Sequence, residues 1–136
     1  MALDIQQREQ EGITILELKG RITAGSEAAA LRAHAAALNS AGARNLVLDL
    51  AGVDYIDSTG LGALVMCATS LRKIGGDVKL LHLNRRHIEL LVMTKLATIF
   101  EIFTDEHDAV DSYYPDRQVQ AFDILDFVRK LKQDEE

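Results

Sequence analysis

The sequence predicts one α/β domain whose mixed β-sheet opens with a hairpin and then alternates strands with packed helices. Two strand-like segments separated by a short turn that contains Glu11 and Gly12 indicate the hairpin. Beyond them, short apolar runs alternate with segments of helical periodicity, which favours crossover connections between parallel strands. With 136 residues and 48% hydrophobic content, the chain can form one sizeable core but not two ordinary domains. We expect an extra helix at the C-terminal end.

The first half of the chain supplies the hairpin, a helix and a buried strand. We predict strands at 5–9 and 13–18, a helix at 27–39 and a strand at 46–50. Polarity alternates along the second strand, and the helix presents one apolar face before Gly42. The strand at 46–50 is almost continuously apolar, as expected of a strand that is covered on both faces.

The second half continues the alternation of helices and strands. We predict a helix at 61–71, a strand at 78–83, a helix through residue 93 that Asn84 caps, a strand at 100–103 and a helix beginning near residue 104. The helix at 61–71 carries one apolar stripe and stops near two consecutive glycines. Cys67 lies at the edge of that stripe, and we interpret it as a small packed side chain rather than a reactive thiol.

Pro115 separates a C-terminal extension from this domain, so we place the boundaries at 1–114 and 115–136. The apolar residues of the extension share one broad helical face: Phe122, Ile124, Leu125, Phe127, Val128 and Leu131. Two interpretations stay open, a brace packed on the domain or a contact with a second copy or a partner. Residues 134–136 are expected to form a frayed tail.

Composition narrows the class of protein. The net charge is −6 and basic residues form no large cluster, so we expect no nucleic-acid partner. A single cysteine excludes an intramolecular disulfide, and the four histidines show no metal-ligand spacing. There is no basic and apolar leader and no apolar run of about 18 residues. We therefore expect a cytoplasmic protein with no membrane segment, metal or cofactor.

Residues 54–62 form a small polar turn between an apolar strand and a helix, and they place Ser58 at the start of that helix. The first turn of a helix has unpaired N–H donors and a partial positive charge, so a phosphate is well held there. Ser and Asp are also preferred helix caps. The residues alone therefore leave two roles open for Asp57 and Ser58, a phosphate site or a simple cap.

Residues 53–62, which read VDYIDSTGLG, closely resemble the phosphorylation-site signature of STAS domains, the family of bacterial anti-sigma factor antagonists. Three further segments support the resemblance: LKGRI at 18–22, LRKIGG at 71–76 and KLATIF at 95–100. The resemblance covers about residues 3–114 and leaves the C-terminal helix outside. It departs from the family at Thr23, where many members carry an acidic residue.

The resemblance implies a STAS-like sheet and a partner-switching function. The unphosphorylated domain would bind an anti-sigma factor, often also its serine kinase, and so free a sigma factor. Phosphorylation of Ser58 would end that binding, and a serine phosphatase would restore it. The alternative is a STAS-like scaffold or adaptor in a larger signalling assembly that does not act on a sigma factor.

We expect Asp57, Thr59 and Gly60 to flank the phosphorylation site, with Thr59 as a second candidate acceptor. The predicted partner-binding residues are Thr23, Gly25, Asp54, Gly62, Met66, Thr69 and Lys73. Gly60 and Gly62 are expected to keep the approach to Ser58 open. Met66 is the candidate apolar anchor, although an ordinary solvent-facing methionine would read the same way.

An enzymatic function is not expected. The residues around Ser58 do not form the Gly-x-Ser-x-Gly elbow of a hydrolase, and no histidine is assignable as its base. The glycines form neither a dinucleotide-binding fingerprint nor a phosphate loop. Ser58 is thus a substrate side chain in this hypothesis, and we expect its phosphorylation to change the surface while the fold stays intact.

Overall fold

The structure is a computed structural model that describes residues 3–135, with side chains through residue 133. Five strands form one sheet in the order β1-β2-β3-β4-β5. They are β1 Asp4–Gln10, β2 Ile13–Ile22, β3 Asn45–Ile56, β4 Asp77–Leu81 and β5 Glu101–Phe103. Only the β1–β2 pair is antiparallel, so the predicted mixed sheet with an opening hairpin is confirmed.

Five helices accompany the sheet: α1 Ser26–Ser40, α2 Ser58–Arg72, α3 Arg85–Met93, α4 Glu106–Asp111 and α5 Ile124–Glu135. Asn84 caps α3 as predicted, because its side chain accepts the backbone N–H of His87. Among residues 3–135, none of the helices has both the length and the hydropathy of a membrane span.

The core lies on both faces of the sheet. Alternate strand residues such as Leu48 and Leu80 join the larger cluster with the buried faces of α1 and α2. Their neighbours Val47 and Leu81 point the other way and pack with α4. Helices α1 and α2 therefore cover the face of the sheet that carries the larger cluster. Their first turns lie at the end of the sheet where β2 and β3 finish.

Two strands differ in length from the prediction. The third strand was expected to end at residue 50 but continues to Ile56, because β2 runs beside it as far as Ile22. Residues 54–56, expected in a turn, are therefore part of β3. The fourth strand ends at Leu81 rather than at residue 83, since His82 adopts a left-handed backbone with φ 59°.

The C-terminal extension touches the domain at the outer edge of β5. The Phe122 N–H donates to the Ile102 carbonyl at 2.9 Å, and Phe122 and Ile124 pack against the larger cluster. Leu125 on the following turn is 74% exposed. Helix α5 begins at Ile124 and continues through Glu135. It therefore includes residues 134 and 135, which were expected to belong to a frayed tail. Residue 136 lies outside the described residues.

Candidate phosphorylation and partner-binding site

Asp57 is the N-cap of α2, so it takes the capping role that the sequence left open for Asp57 and Ser58. Its backbone is extended, and Oδ1 accepts the N–H of Gly60 at 2.7 Å. Ser58 is then the first residue of the helix, and it is exposed. Its hydroxyl makes no hydrogen bond to any described residue, so it is free to react at the positive end of a four-turn helix.

The second oxygen of Asp57 fixes the neighbouring β2–α1 loop. Oδ2 accepts the N–H of Ala24 at 2.9 Å, and the Asp57 N–H donates to the Ile22 carbonyl at 3.2 Å. The N–H groups of Gly60 and then Ala24 hold the pKa of this carboxyl below its ordinary value. Asp57 is therefore ionised at neutral pH and ties together the ends of β2 and β3.

The same loop holds Thr23 and Gly25 next to the start of α2, where Ser58 lies. Thr23 is partly buried, and its carbonyl accepts the N–H of Ala28 at 3.0 Å. Gly25 is exposed, caps α1 and has φ 93°, a conformation that favours glycine. The start of α1 therefore lies beside the start of α2, with Asp57 between them.

One exposed stripe runs from Ser58 along α2. Its members are Ser58, Gly62, Met66, Thr69 and Lys73, all exposed and separated by three or four residues. Met66 has 52% of its surface exposed. The predicted partner-binding residues of α2 thus share one face with Ser58, the predicted phosphorylation site, and their apolar member lies at the middle.

The two glycines that follow Ser58 have different surroundings. Gly62 is open, since a Cβ there would meet nothing within 4 Å. Gly60 is buried, and a Cβ would lie 1.9 Å from the Ile22 carbonyl oxygen. The expectation that both glycines keep the approach open is therefore wrong for Gly60, whose missing side chain lets α2 pack on the end of β2.

The other predicted site residues lie around the same end of the sheet. Thr59 is exposed on the turn after Asp57, whereas Asp54 is an exposed residue of β3 rather than of a turn. Cys67 is a buried residue of α2, and burial raises the pKa of its thiol to about 11. This agrees with a packed rather than reactive cysteine.

Sequence reasoning missed two groups at this site. The Ala24 N–H was not recognised as a partner of Asp57, and Arg32 was not placed near Met66, although its Nη1 lies 3.8 Å from the Met66 Sδ. Both contacts join segments about 33 residues apart, so no local pattern signals them. Among the described residues, no group of three or more His, Cys, Asp or Glu side chains could hold a metal ion.

Comparison with known proteins defines the class. A family model for the STAS domain matches residues 4–109, and the chain belongs to this family. The anti-sigma-B factor antagonist of Bacillus subtilis is 34% identical over 102 residues, which cover 75% of this chain and 92% of that protein. BtrV of Bordetella bronchiseptica is 30% identical over 103 residues, covering 76% and 88%. The predicted resemblance is confirmed.

A solved structure agrees on the fold. The Bacillus cell fate determinant SpoIIAA, an anti-sigma factor antagonist, is known in unphosphorylated and phosphorylated forms. The two forms align with TM-scores of 0.63 and 0.64 at 16% and 15% identity. They cover 82% and 81% of this chain and 99% of SpoIIAA in each case. Residues 110–136, which include the C-terminal extension, lie outside the family match.

Proposed function

We propose that the protein is an anti-sigma factor antagonist controlled by phosphorylation of Ser58. The unphosphorylated chain binds an anti-sigma factor that is also its serine kinase, and phosphorylation releases it. The observation that carries the proposal is the exposed Ser58 side chain, which has no hydrogen-bond partner within the described part of the chain, at the first position of a helix capped by Asp57. The identity to the anti-sigma-B factor antagonist supports the partner class.

A kinase can reach Ser58 without unfolding the domain, because the side chain is exposed at the end of the sheet. The phosphate would add about −1.5 to −2 charges next to Asp57. The partial positive charge at the start of α2 accommodates that charge. The domain therefore tolerates the modification, and the partner does not.

Loss of binding follows from charge and size. Two acidic side chains already precede Ser58, Asp57 at the cap of α2 and Asp54 on the exposed side of β3, so the partner surface must offer cations or a close polar pocket. A doubly charged group overfills such a pocket. A serine phosphatase then resets the switch by restoring the hydroxyl. The chain supplies no catalytic group in this cycle and works as a binding module without a cofactor.

The partner-binding surface consists of the α2 stripe and the β2–α1 loop. Met66 supplies the apolar anchor, and Gly62 leaves room for a partner between Ser58 and Met66. Thr23 and Gly25 lie in the β2–α1 loop beside the start of α2, and the Asp57–Ala24 hydrogen bond holds the loop there. A cytoplasmic location follows from the partner, because sigma factors and their regulators act there.

The domain ends near residue 114, and residues 115–136 form an extension that braces the outer edge of β5. The hydrogen bond from Phe122 to Ile102 supports this role. A second candidate role, dimerisation or docking into a larger assembly, is favoured by the 74% exposed Leu125. Deleting residues 116–136 separates the two, since a brace alone leaves a monomer with unchanged partner affinity.

Affinity capture from the source cells tests the switch. The wild-type chain, Ser58→Ala and the control Thr59→Ala are used as baits, with mass spectrometry of the partners and of residues 54–73. We expect phosphate on Ser58 of the wild type and on the control, and an ATP-binding anti-sigma factor with all three. Unmodified Ser58 and no such kinase would contradict the proposal and favour a scaffold.

A further inference from the structure

The groove between α1 and α2 is a surface feature that the switch at Ser58 does not explain. It has a volume of about 250 Å³, and Met66 belongs both to its wall and to the exposed α2 stripe. Its floor includes Ala35 and Cys67, which are 8% and 5% exposed. The floor is therefore apolar and shallow enough to take one or two side chains.

Charge around the groove is uneven. No acidic residue lines it, and Arg32 at its rim has no carboxylate within salt-bridge distance among residues 3–133. Lys73, farther along the same face of α2, is likewise without an ion-pair partner in the described side chains. In a chain of net charge −6, Arg32 thus presents one cation without an ion-pair partner among the described side chains beside the apolar floor, and Lys73 presents a second on the adjoining α2 stripe.

We infer that the α1–α2 groove binds an acidic amphipathic segment of the anti-sigma factor. An apolar side chain enters between Ala36 and Met66, and flanking carboxylates pair with Arg32 and Lys73. The polarisable and adaptable Met66 side chain suits such a contact. This inference rests on the proposed function, because it extends the same interface from Ser58 along α2.

The charges argue against a second copy of the chain as the occupant. A symmetric dimer places the same patch on both subunits, so a two-fold axis at this groove would bring Arg32 and Lys73 of each copy towards those of the other. Like charges facing each other destabilise an interface. A partner segment with carboxylates is complementary, and a copy of this surface is not.

Filling the groove tests the apolar contact. We would titrate the full chain calorimetrically with the purified anti-sigma factor that is captured with the unphosphorylated protein. Ala36→Phe occupies the groove, whereas the matched control Ala37→Phe adds the same side chain to an exposed site on α1 outside the groove lining. We expect affinity to fall at least about tenfold for Ala36→Phe and to change less than about twofold for the control.

Reversing the charge tests the polar contact independently. Arg32→Glu is expected to weaken binding about tenfold and to reduce its dependence on salt. Arg44→Glu makes the same charge change just before β3, at the opposite end of that strand from Ser58, and is expected to bind as the wild type does. An acid-to-lysine substitution in the anti-sigma factor should restore affinity for Arg32→Glu.

The outcomes separate this inference from the proposed function. If Ala36→Phe and Arg32→Glu bind as tightly as their controls while phosphorylation of Ser58 abolishes binding, the groove inference is wrong and the switch stands. If the wild-type chain binds no anti-sigma factor, both are wrong. If Ala36→Phe instead converts a dimer of this chain into a monomer during sedimentation, the occupant is a second copy and the inference is overturned. Should Ala36→Phe fail to fold, Arg32→Glu decides.

Discussion

The inner and outer sides of the first turn of α2 are packed in opposite ways. On the inner side, Gly60 lies so close to β2 that a Cβ would be 1.9 Å from the Ile22 carbonyl oxygen. On the outer side, Ser58 is exposed and a Cβ on Gly62 would meet nothing within 4 Å. One helical turn thus combines a tightly fixed face with an open one.

This difference explains how a modified residue can signal without unfolding its domain. The position of the turn is set by backbone contacts on the inner side and by both oxygens of Asp57. Ser58 contributes no hydrogen bond among the described residues to either. A phosphate on the outer side therefore changes what a partner meets and leaves the supports of the turn in place.

Substituting the inner glycine has the largest expected effect. Gly60→Ala places a methyl group against the Ile22 carbonyl, which belongs to the backbone and has little freedom to shift. We expect the free energy of unfolding to fall by about 3 kcal/mol, measured by urea denaturation. A loss below about 1 kcal/mol would mean that α2 slides away from β2 at low cost, and the inner side would not be fixed.

Removing one oxygen from the cap tests the second support of the inner side. Asp57→Asn keeps a capping acceptor but loses the second carboxylate oxygen, so we expect the melting temperature at pH 7 to fall by a few degrees. Because the folded-state pKa of Asp57 is lowered from 3.8, its contribution is present above that pH and is lost as the pH falls through the folded-state value. The wild type and the variant should therefore converge in thermal melts at low pH. A constant difference down to pH 2 would contradict this assignment.

The outer glycine should respond in the opposite direction. Gly62→Ala meets open space and replaces a poor helix former, so we expect about 1 kcal/mol of added stability in the same urea experiment. The pair Gly60→Ala and Gly62→Ala is matched in chemistry and differs only in side. If both variants lose stability, the outer side is not as open as the structure indicates.

Much of the fold could be predicted from local patterns, because apolar periodicity and cap residues act over a few positions. Asn84 shows this, since its side chain caps α3 as the sequence indicates. The length of β3 could not be predicted, because Ala51, Gly52 and Asp54 interrupt the apolar run in residues 51–56. They are held as a strand by pairing with distant β2.

The candidate site divides in the same way. The position of Ser58 at a helix start follows from neighbouring residues, whereas the role of Gly60 depends on how near Ile22 lies. A glycine has the same appearance in sequence whether it avoids a clash or leaves a surface open. The Arg32–Met66 contact likewise exists only after α1 and α2 pack side by side.

The central claim is that a phosphate on Ser58 alters partner binding and leaves the fold intact. Phosphorylation of Ser58 tests it most directly, because stability should hardly change while binding is lost. One phosphorylated preparation would be measured by circular dichroism, urea denaturation and titration with the purified anti-sigma factor. We expect an unchanged spectrum, a free energy of unfolding within about 0.5 kcal/mol of the unmodified chain, and loss of binding. A circular-dichroism spectrum typical of an unfolded chain, or unaltered binding by the phosphorylated chain, would contradict the account.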